Sequence, residues 1–287
     1  MRKIVVATDF SERSDRAIRR ATLLAKDIGA SLLLVHVVDD DQPRRLVKAE
    51  QKIATDLLSE QSGSIRDVDG LECDFSVVLG EAFEGVGQIA ESIDADLVVI
   101  GPHRREALKD VFIGTTAERT IRKSRLPVLM SNGVPAGHYR RVLVAVDLSD
   151  CSAEVLRAVG ELGLEKKTAI SVIHVFDAPA SGLMRRASSS EDQITDYIAD
   201  EKERASGELS NFLKANHFNP VEAVLAPMDG SFADTICAVA SRLSAELIVV
   251  GTHGRTGVGK FFLGSVVEEV LRIADRDVLT VPRRRAR

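Results

Sequence analysis

The feature that most constrains this chain is that it repeats itself. Ile4-Val5-Val6-Ala7-Thr8-Asp9-Phe10-Ser11 returns as Val142-Leu143-Val144-Ala145-Val146-Asp147-Leu148-Ser149. Leu33-Leu34-Val35-His36-Val37 returns as Ser171-Val172-Ile173-His174-Val175, and Asp96-Leu97-Val98-Val99-Ile100-Gly101-Pro102-His103 as Glu246-Leu247-Ile248-Val249-Val250-Gly251-Thr252-His253. A period this long means two copies of one domain, and 287 residues is room for two. Asp9 pairs with Asp147 but Gly101 pairs with Gly251, so the second copy carries twelve extra residues between its second and fourth strands. The Ser-, Ala- and Arg-rich segment 178–192 is the expected place, read as loop, including Arg185-Arg186-Ala187-Ser188.

Within each copy, short β-branched runs alternate with amphipathic stretches. In the first copy this predicts strands near 3–8, 31–38, 74–79, 96–100 and 127–130, and helices near 12–28, 44–61, 82–93 and 115–124. Ala17, Ile18, Ala21, Leu24, Ala25 and Ile28 recur at three- and four-residue steps, with Ser11 or Asp9 to cap the helix and Gly29 to end it. Strands 1, 2 and 4 are nearly continuous in apolar residues, the pattern of a sheet covered on both faces. The expected fold is α/β: two tandem domains, each a five-stranded, parallel, doubly wound sheet. Domain bounds fall at 1–131 and 139–287, with 132–138 as linker.

Composition removes several function classes. Hydrophobic residues make up 45% of the chain, and the net charge of −5 is spread evenly, without the basic patch of a nucleic-acid binder. The arginines after Pro282 read as a solvated end. Cys73, Cys151 and Cys237 are too far apart for a zinc cluster or a disulfide framework. Apolar runs stop at strand length, and the start Met-Arg-Lys-Ile-Val-Val has no signal-peptide core. The expectation is a cytoplasmic protein with no membrane and no nucleic-acid partner.

Chemistry in such a sheet belongs beyond the carboxyl ends of its strands. After the fourth strand of the second copy comes Gly251-Thr252-His253-Gly254-Arg255-Thr256-Gly257-Val258-Gly259-Lys260-Phe261-Phe262-Leu263-Gly264-Ser265-Val266, leading into a helix. Glycines let backbone N–H groups close around an anion, and the helix start adds free donors and a favourable dipole. Two familiar motifs fail. Gly254-x4-Gly259-Lys260 lacks the hydroxyl residue that a Walker loop needs, because Phe261 stands there. A dinucleotide fingerprint would require a small residue at Phe262 and a position after strand 1. His36 and His174 read as core strand histidines, while His103 and His253 have no neighbouring Ser or Cys to form a triad.

Gly251-x2-Gly254-x9-Gly264-Ser265, together with Val144-Ala145-Val146-Asp147 and His174-Val175, resembles the universal stress protein family, and the resemblance covers the chain twice. It implies the adenine-nucleotide α-hydrolase-like sheet and binding of ATP or a related adenine nucleotide, with or without Mg. Carried over residue by residue, Ala145 and Asp147 flank adenine and ribose, Val175 lines the adenine pocket, and Val250 and Gly251 approach the ribose. Gly254, Gly264, Ser265 and Val266 hold phosphates, with Arg255 and Lys260 as further partners. The first copy offers a weaker or vestigial site at Ala7, Asp9, Val37, Gly101, Arg104, Gly114 and Thr115, because Arg104 replaces the second glycine. One nucleotide per chain, in the second half, is the expectation. The resemblance also implies an internal pseudo-dimer through the last strands, with a homodimer as a further option, and a regulatory role in stress response. No catalytic residues and no metal site are assigned. The alternatives are a ligand-free adaptor, a slow ATPase or autophosphorylating enzyme, or an adenylyl-transferring relative. The last is opposed by the absence of a Ser-Gly-Gly-x-Asp-Ser loop after either first strand.

Overall fold

The computed structural model describes residues 2–102, 115–166, 168–187, 190–254 and 263–283. The chain divides into two compact units, Met1–His138 with Ala274–Pro282, and Tyr139–Ile273 with Arg283–Arg287. In chain order the first half holds β1 (Arg2–Ala7), α1 (Glu12–Ile28), β2 (Ala30–Val38), α2 (Arg44–Ser64), β3 (Cys73–Leu79), α3 (Ala82–Ser92), β4 (Leu97–Ile100), α4 (Thr116–Lys123) and β5 (Val128–Met130). The second half holds β6 (Arg141–Ala145), α5 (Asp150–Glu161), β7 (Ala169–Phe176), α6 (Ala180–Arg186), α7 (Glu191–Ala215), β8 (Glu222–Pro227), α8 (Phe232–Arg242), β9 (Leu247–Gly251), α9 (Ser265–Ile273) and β10 (Asp277–Val281).

The strands of the first copy lie in the order β3-β2-β1-β4-β5, all parallel. Those of the second unit lie in the matching order β9-β6-β7-β8, also parallel. The architecture is the doubly wound α/β fold that the alternation of elements requires. Ile4, Val5 and Val6, and likewise Leu97–Ile100, are buried, because helices cover both sheet faces. Helix α1 follows its sequence signals. Ser11 caps it by accepting from the Ser14 N–H, Ala17, Ile18, Ala21, Leu24 and Ala25 are buried, and Gly29 ends it at φ 66°.

Strand β10, which the repeat counts in the second copy, belongs to the first unit. It runs antiparallel to β5, with Val128 opposite Thr280, Leu129 opposite Leu279 and Met130 opposite Val278. This gives β5 a partner on what would otherwise be an open edge. A buried ion pair fastens the arrangement: Arg20 Nε donates to Asp277 Oδ2 at 2.8 Å. Both charges are satisfied further, Arg20 Nη1 by the Gly137 carbonyl at 2.7 Å and Asp277 Oδ1 by the Gly133 N–H at 2.8 Å. Desolvated charges are tolerable only when saturated in this way.

One expectation is corrected. Segment 178–192, read as loop, contains α6 and the first turn of α7. Ser190 and Gln193 form a reciprocal capping box at the start of α7, a local signal that the abundance of serine and arginine obscured. Ser188 of the basic tetrad lies outside the described residues.

Candidate functional site

Both copies bend the chain in the same way as it leaves the first strand. Phe10 and Leu148 sit at φ 59° and 64°, a left-handed conformation that bulky side chains seldom adopt. Such strain costs on the order of 1–3 kcal/mol and persists only where the surroundings enforce it. Here the preceding aspartate enforces it. Asp147 Oδ1 accepts from the Ser149 N–H at 3.1 Å, the Ser149 hydroxyl at 2.5 Å and the Ser152 hydroxyl at 2.6 Å. Asp9 Oδ1 accepts from the Ser11 N–H at 3.1 Å and its hydroxyl at 2.5 Å. Burial works against the charge of Asp9, but the Ser11 bonds and the nearby Arg13 outweigh it and hold the carboxyl below its usual range.

The strand histidines serve the same bends. His174 Nδ1 meets the Val146 carbonyl at 2.9 Å and is buried, and His36 Nδ1 meets the Thr8 carbonyl at 2.8 Å. Each ring ties its strand to the exit of the neighbouring strand, and each also lines the pocket at that strand's end. His253 Nδ1 lies 2.9 Å from Thr252 Oγ1, while His103 lies outside the described residues.

In the second unit a cleft of about 550 Å³ opens at the carboxyl ends of the strands. Ala145, Asp147 and Val175 line it from β6 and β7, and Val250 and Gly251 from the end of β9. Gly254, Gly264, Ser265 and Val266 line it from the following loop and the start of α9. Nine of the eleven residues singled out in this half share one cavity; the other two, Arg255 and Lys260, lie outside the described residues. A side chain at Gly254 would place its Cβ 3.1 Å from Asp147 Oδ2, so glycine keeps the two strand-end loops close. Gly251 has a packing reason as well, since a Cβ there would come within 2.8 Å of Cys151 Sγ on α5. Burial raises the pKa of that thiol.

The role expected of Gly264 needs correction. Its N–H donates to the Thr252 carbonyl at 2.9 Å and is not open to a phosphate. Its carbonyl accepts from the Glu268 N–H at 3.0 Å, which makes Gly264 the capping residue of α9. A glycine cap has no side-chain oxygen, and among the described residues the N–H groups of Ser265, Val266 and Val267 find no backbone acceptor, the usual state of a helix first turn. All three residues line the cleft.

Several walls of this cleft escaped the sequence reading. Phe232 and Ile236 come from α8, Asp177 and Pro179 from the segment after β7, and Arg204 and Glu208 from α7. The insertion was the available signal, but nothing in its composition says which helix face turns inward.

The first unit has a smaller pocket, about 370 Å³, at the matching place. Ala7, Asp9, Val37, Gly101 and Thr115 line it, while Arg104 and Gly114 lie outside the described residues. Its helix is capped differently. The Thr115 hydroxyl accepts from the Glu118 N–H at 3.1 Å and the Thr115 carbonyl from the Arg119 N–H at 2.9 Å, so α4 satisfies part of its own terminus.

The universal stress protein family profile matches residues 1–132 and again residues 138–282. The chain belongs to the universal stress protein family. The two matches make it a tandem member, and membership supports a role in stress response. A universal stress protein of Mycolicibacterium smegmatis is 24% identical over 97% of this chain and 96% of its own length. Universal stress protein A homolog 1 of Coxiella burnetii is 31% identical over 50% of this chain and 96% of its own. Among solved structures, a universal stress protein from Archaeoglobus fulgidus covers 98% of both chains at a TM-score of 0.70 and 19% identity, a likeness of fold. Among the described residues, no helix of this family member is long and apolar enough to cross a membrane. No group of three or more His, Cys, Asp or Glu side chains that could hold a metal occurs among them either.

Proposed function

We propose that the second unit binds ATP or a related adenine nucleotide, with or without Mg, as a regulatory module acting in the cytoplasm during stress response. The observation that carries this reading is convergence: residues from β6, β7, β9 and the start of α9, far apart in sequence, meet on one cleft. Its volume is ordinary for a small-molecule site, where about 300–1,000 Å³ is usual. Ile173, Val175, Phe176, Phe232 and Ile236 make one side apolar enough for a purine ring. On the other side the first turn of α9, capped by glycine, offers N–H donors and the positive end of a helix to phosphate. Asp147, fixed by Ser149 and Ser152, lines the same cleft and can accept from ribose hydroxyls or a base amine.

The regulatory part of the reading is supported by membership of the universal stress protein family. Mass spectrometry of small molecules released from the purified chain, with calorimetric titration of ATP, tests the proposal. One equivalent of adenine nucleotide per chain is expected. No binding would favour a ligand-free adaptor, and release of ADP and phosphate on incubation would favour a slow ATPase.

A further inference from the structure

Helices α2 and α7 hold matching places in the two units, and one face of each is used in the same way. Val47, Leu58 and Ser62 are buried in α2, and Ile194, Ala205 and Leu209, each 147 residues further on, are buried in α7. The neighbouring face is where they part. In α2 it carries Leu46, Ala49, Ile53 and Leu57, which recur at three- and four-residue steps and form one stripe. The large side chains are open to solvent, Leu46 at 51%, Ile53 at 59% and Leu57 at 42% exposure. The same positions of α7 are Gln193, Asp196, Asp200 and Arg204, all polar. The fold therefore does not require an apolar stripe here. An exposed one marks a surface that something covers.

The charges of α2 say what the cover is. Arg44, Arg45, Lys48 and Lys52, with only Glu50 against them, make its amino-terminal half basic, while Asp56 and Glu60 make the other half acidic. Arg45, Lys52 and Asp56 lie along one flank of the stripe, within about 40° of one another around the helix. Among the described residues these three enter no ion pair, whereas Arg204 pairs with Glu201 and Glu208 of its own helix. A helix with one half of each sign complements a copy of itself turned end for end. Across a two-fold axis, Leu46 then meets Leu57 of the second copy, Ala49 meets its Ile53, and Arg45 stands beside its Asp56. The edge of β5 is closed by β10 within the chain, so self-association cannot use that edge. We infer that α2 is a homodimer interface, on which a second copy of this chain packs its own α2 antiparallel. The stripe is only about 16 Å long, so the association is weak, with a dissociation constant on the order of micromolar.

Sedimentation velocity of the full chain, from low to high micromolar concentration, tests the inference. The parent should pass from monomer to dimer. Ile53→Glu places a carboxylate in the seam of both copies and should weaken dimerisation about a hundredfold. Arg45→Glu and Asp56→Arg each turn two symmetric attractions into repulsions, and each should weaken it about tenfold. Combining the two reversals exchanges the partners, and the double variant should dimerise like the parent. Only a second copy of the same surface gives that recovery. All three positions are exposed, so the circular dichroism of every variant should match the parent. Monomer at every concentration overturns the inference and leaves the stripe to a partner other than this chain. A dimer indifferent to Ile53→Glu, or a double variant no better than either single reversal, overturns it as well.

Discussion

The two pockets descend from one pattern, and their differences separate what the fold needs from what a ligand needs. Shared between them are the aspartate after the first strand, the strained residue that follows it, the strand histidine bonded to a carbonyl, and the glycine under the helix start. Gly101 abuts the backbone of Arg13 and Gly251 abuts Cys151, so both glycines serve packing whatever the pocket holds. Different between them are the helix cap, threonine in one and glycine in the other, and the residue at the second loop glycine, Arg104 in one and Gly254 in the other. Ser152 binds Asp147 directly, whereas the matching Ser14 hydroxyl donates to the Ser11 carbonyl at 2.8 Å. Features that repeat despite costing strain point to architecture. Features that diverge are not required by the fold.

The largest expected effect tests a difference in architecture. Arg20 is buried against Asp277, while the matching position on α5 is Ala158, so the second unit has no counterpart of this pair at that position. Asp277→Ala leaves Arg20 without its carboxylate and should destabilise the first unit by about 3–5 kcal/mol. Hydrogen exchange resolved by segment should show β5 and α1 losing protection while β6 and β7 keep theirs. Equal loss in both halves would mean that the pair does not belong to the first unit alone.

Next in size is Gly254→Arg, which gives the second loop the residue of the first. Its Cβ would press on Asp147 Oδ2, and ATP affinity should fall about a hundredfold, or about 2.8 kcal/mol, with the fold retained by circular dichroism. Unchanged affinity would show that a long side chain here serves the phosphates instead of excluding them.

A smaller contrast lies in the caps. Ser11→Ala and Ser149→Ala should each cost about 1 kcal/mol in chemical denaturation, the usual worth of such a cap. They should part company at the aspartates. Asp147 keeps the Ser152 hydroxyl at 2.6 Å when Ser149 is cut back, whereas Asp9 keeps only the smaller contribution of Ser14. A loss well below about 1 kcal/mol in either variant would show that the serine does not cap its helix.

The smallest effect is one of pH. Asp9 has a folded-state pKa below the ordinary aspartate value of 3.8, so the unfolded chain binds more protons there as pH falls through that range. Its contribution to stability is present above about 3.8 and is lost as pH falls through the lowered value. Denaturant midpoints measured from pH 5 down to pH 3 should fall less steeply in Ser11→Ala than in the parent. Identical slopes would show that the Ser11 bonds do not hold the carboxyl down.

The elements were legible because their signals are local. A β-branched run bounded by breakers, or an apolar stripe at helical spacing with Ser11 before it and Gly29 after, specifies its own conformation whatever surrounds it. The repeat added the topology, since two copies of one alternation fold as two copies of one sheet. The sequence also located the cleft, because strand-end residues in a parallel sheet converge by construction. Ala145, Asp147, Val175 and Gly251 were bound to meet once the strand order followed.

Tertiary structure decided the rest. That Gly264 spends its N–H on Thr252, and not on a ligand, depends on how a loop closes against β9, which no spacing encodes. That Arg204 and Glu208 look into the cleft depends on how α7 rolls on the sheet through Ala205, Leu209 and Leu213. That Arg20 meets Asp277 depends on a contact across almost the whole chain. Local periodicity carries information about neighbours a few residues away, whereas the partner of a buried charge or a capped N–H is fixed only when distant segments pack.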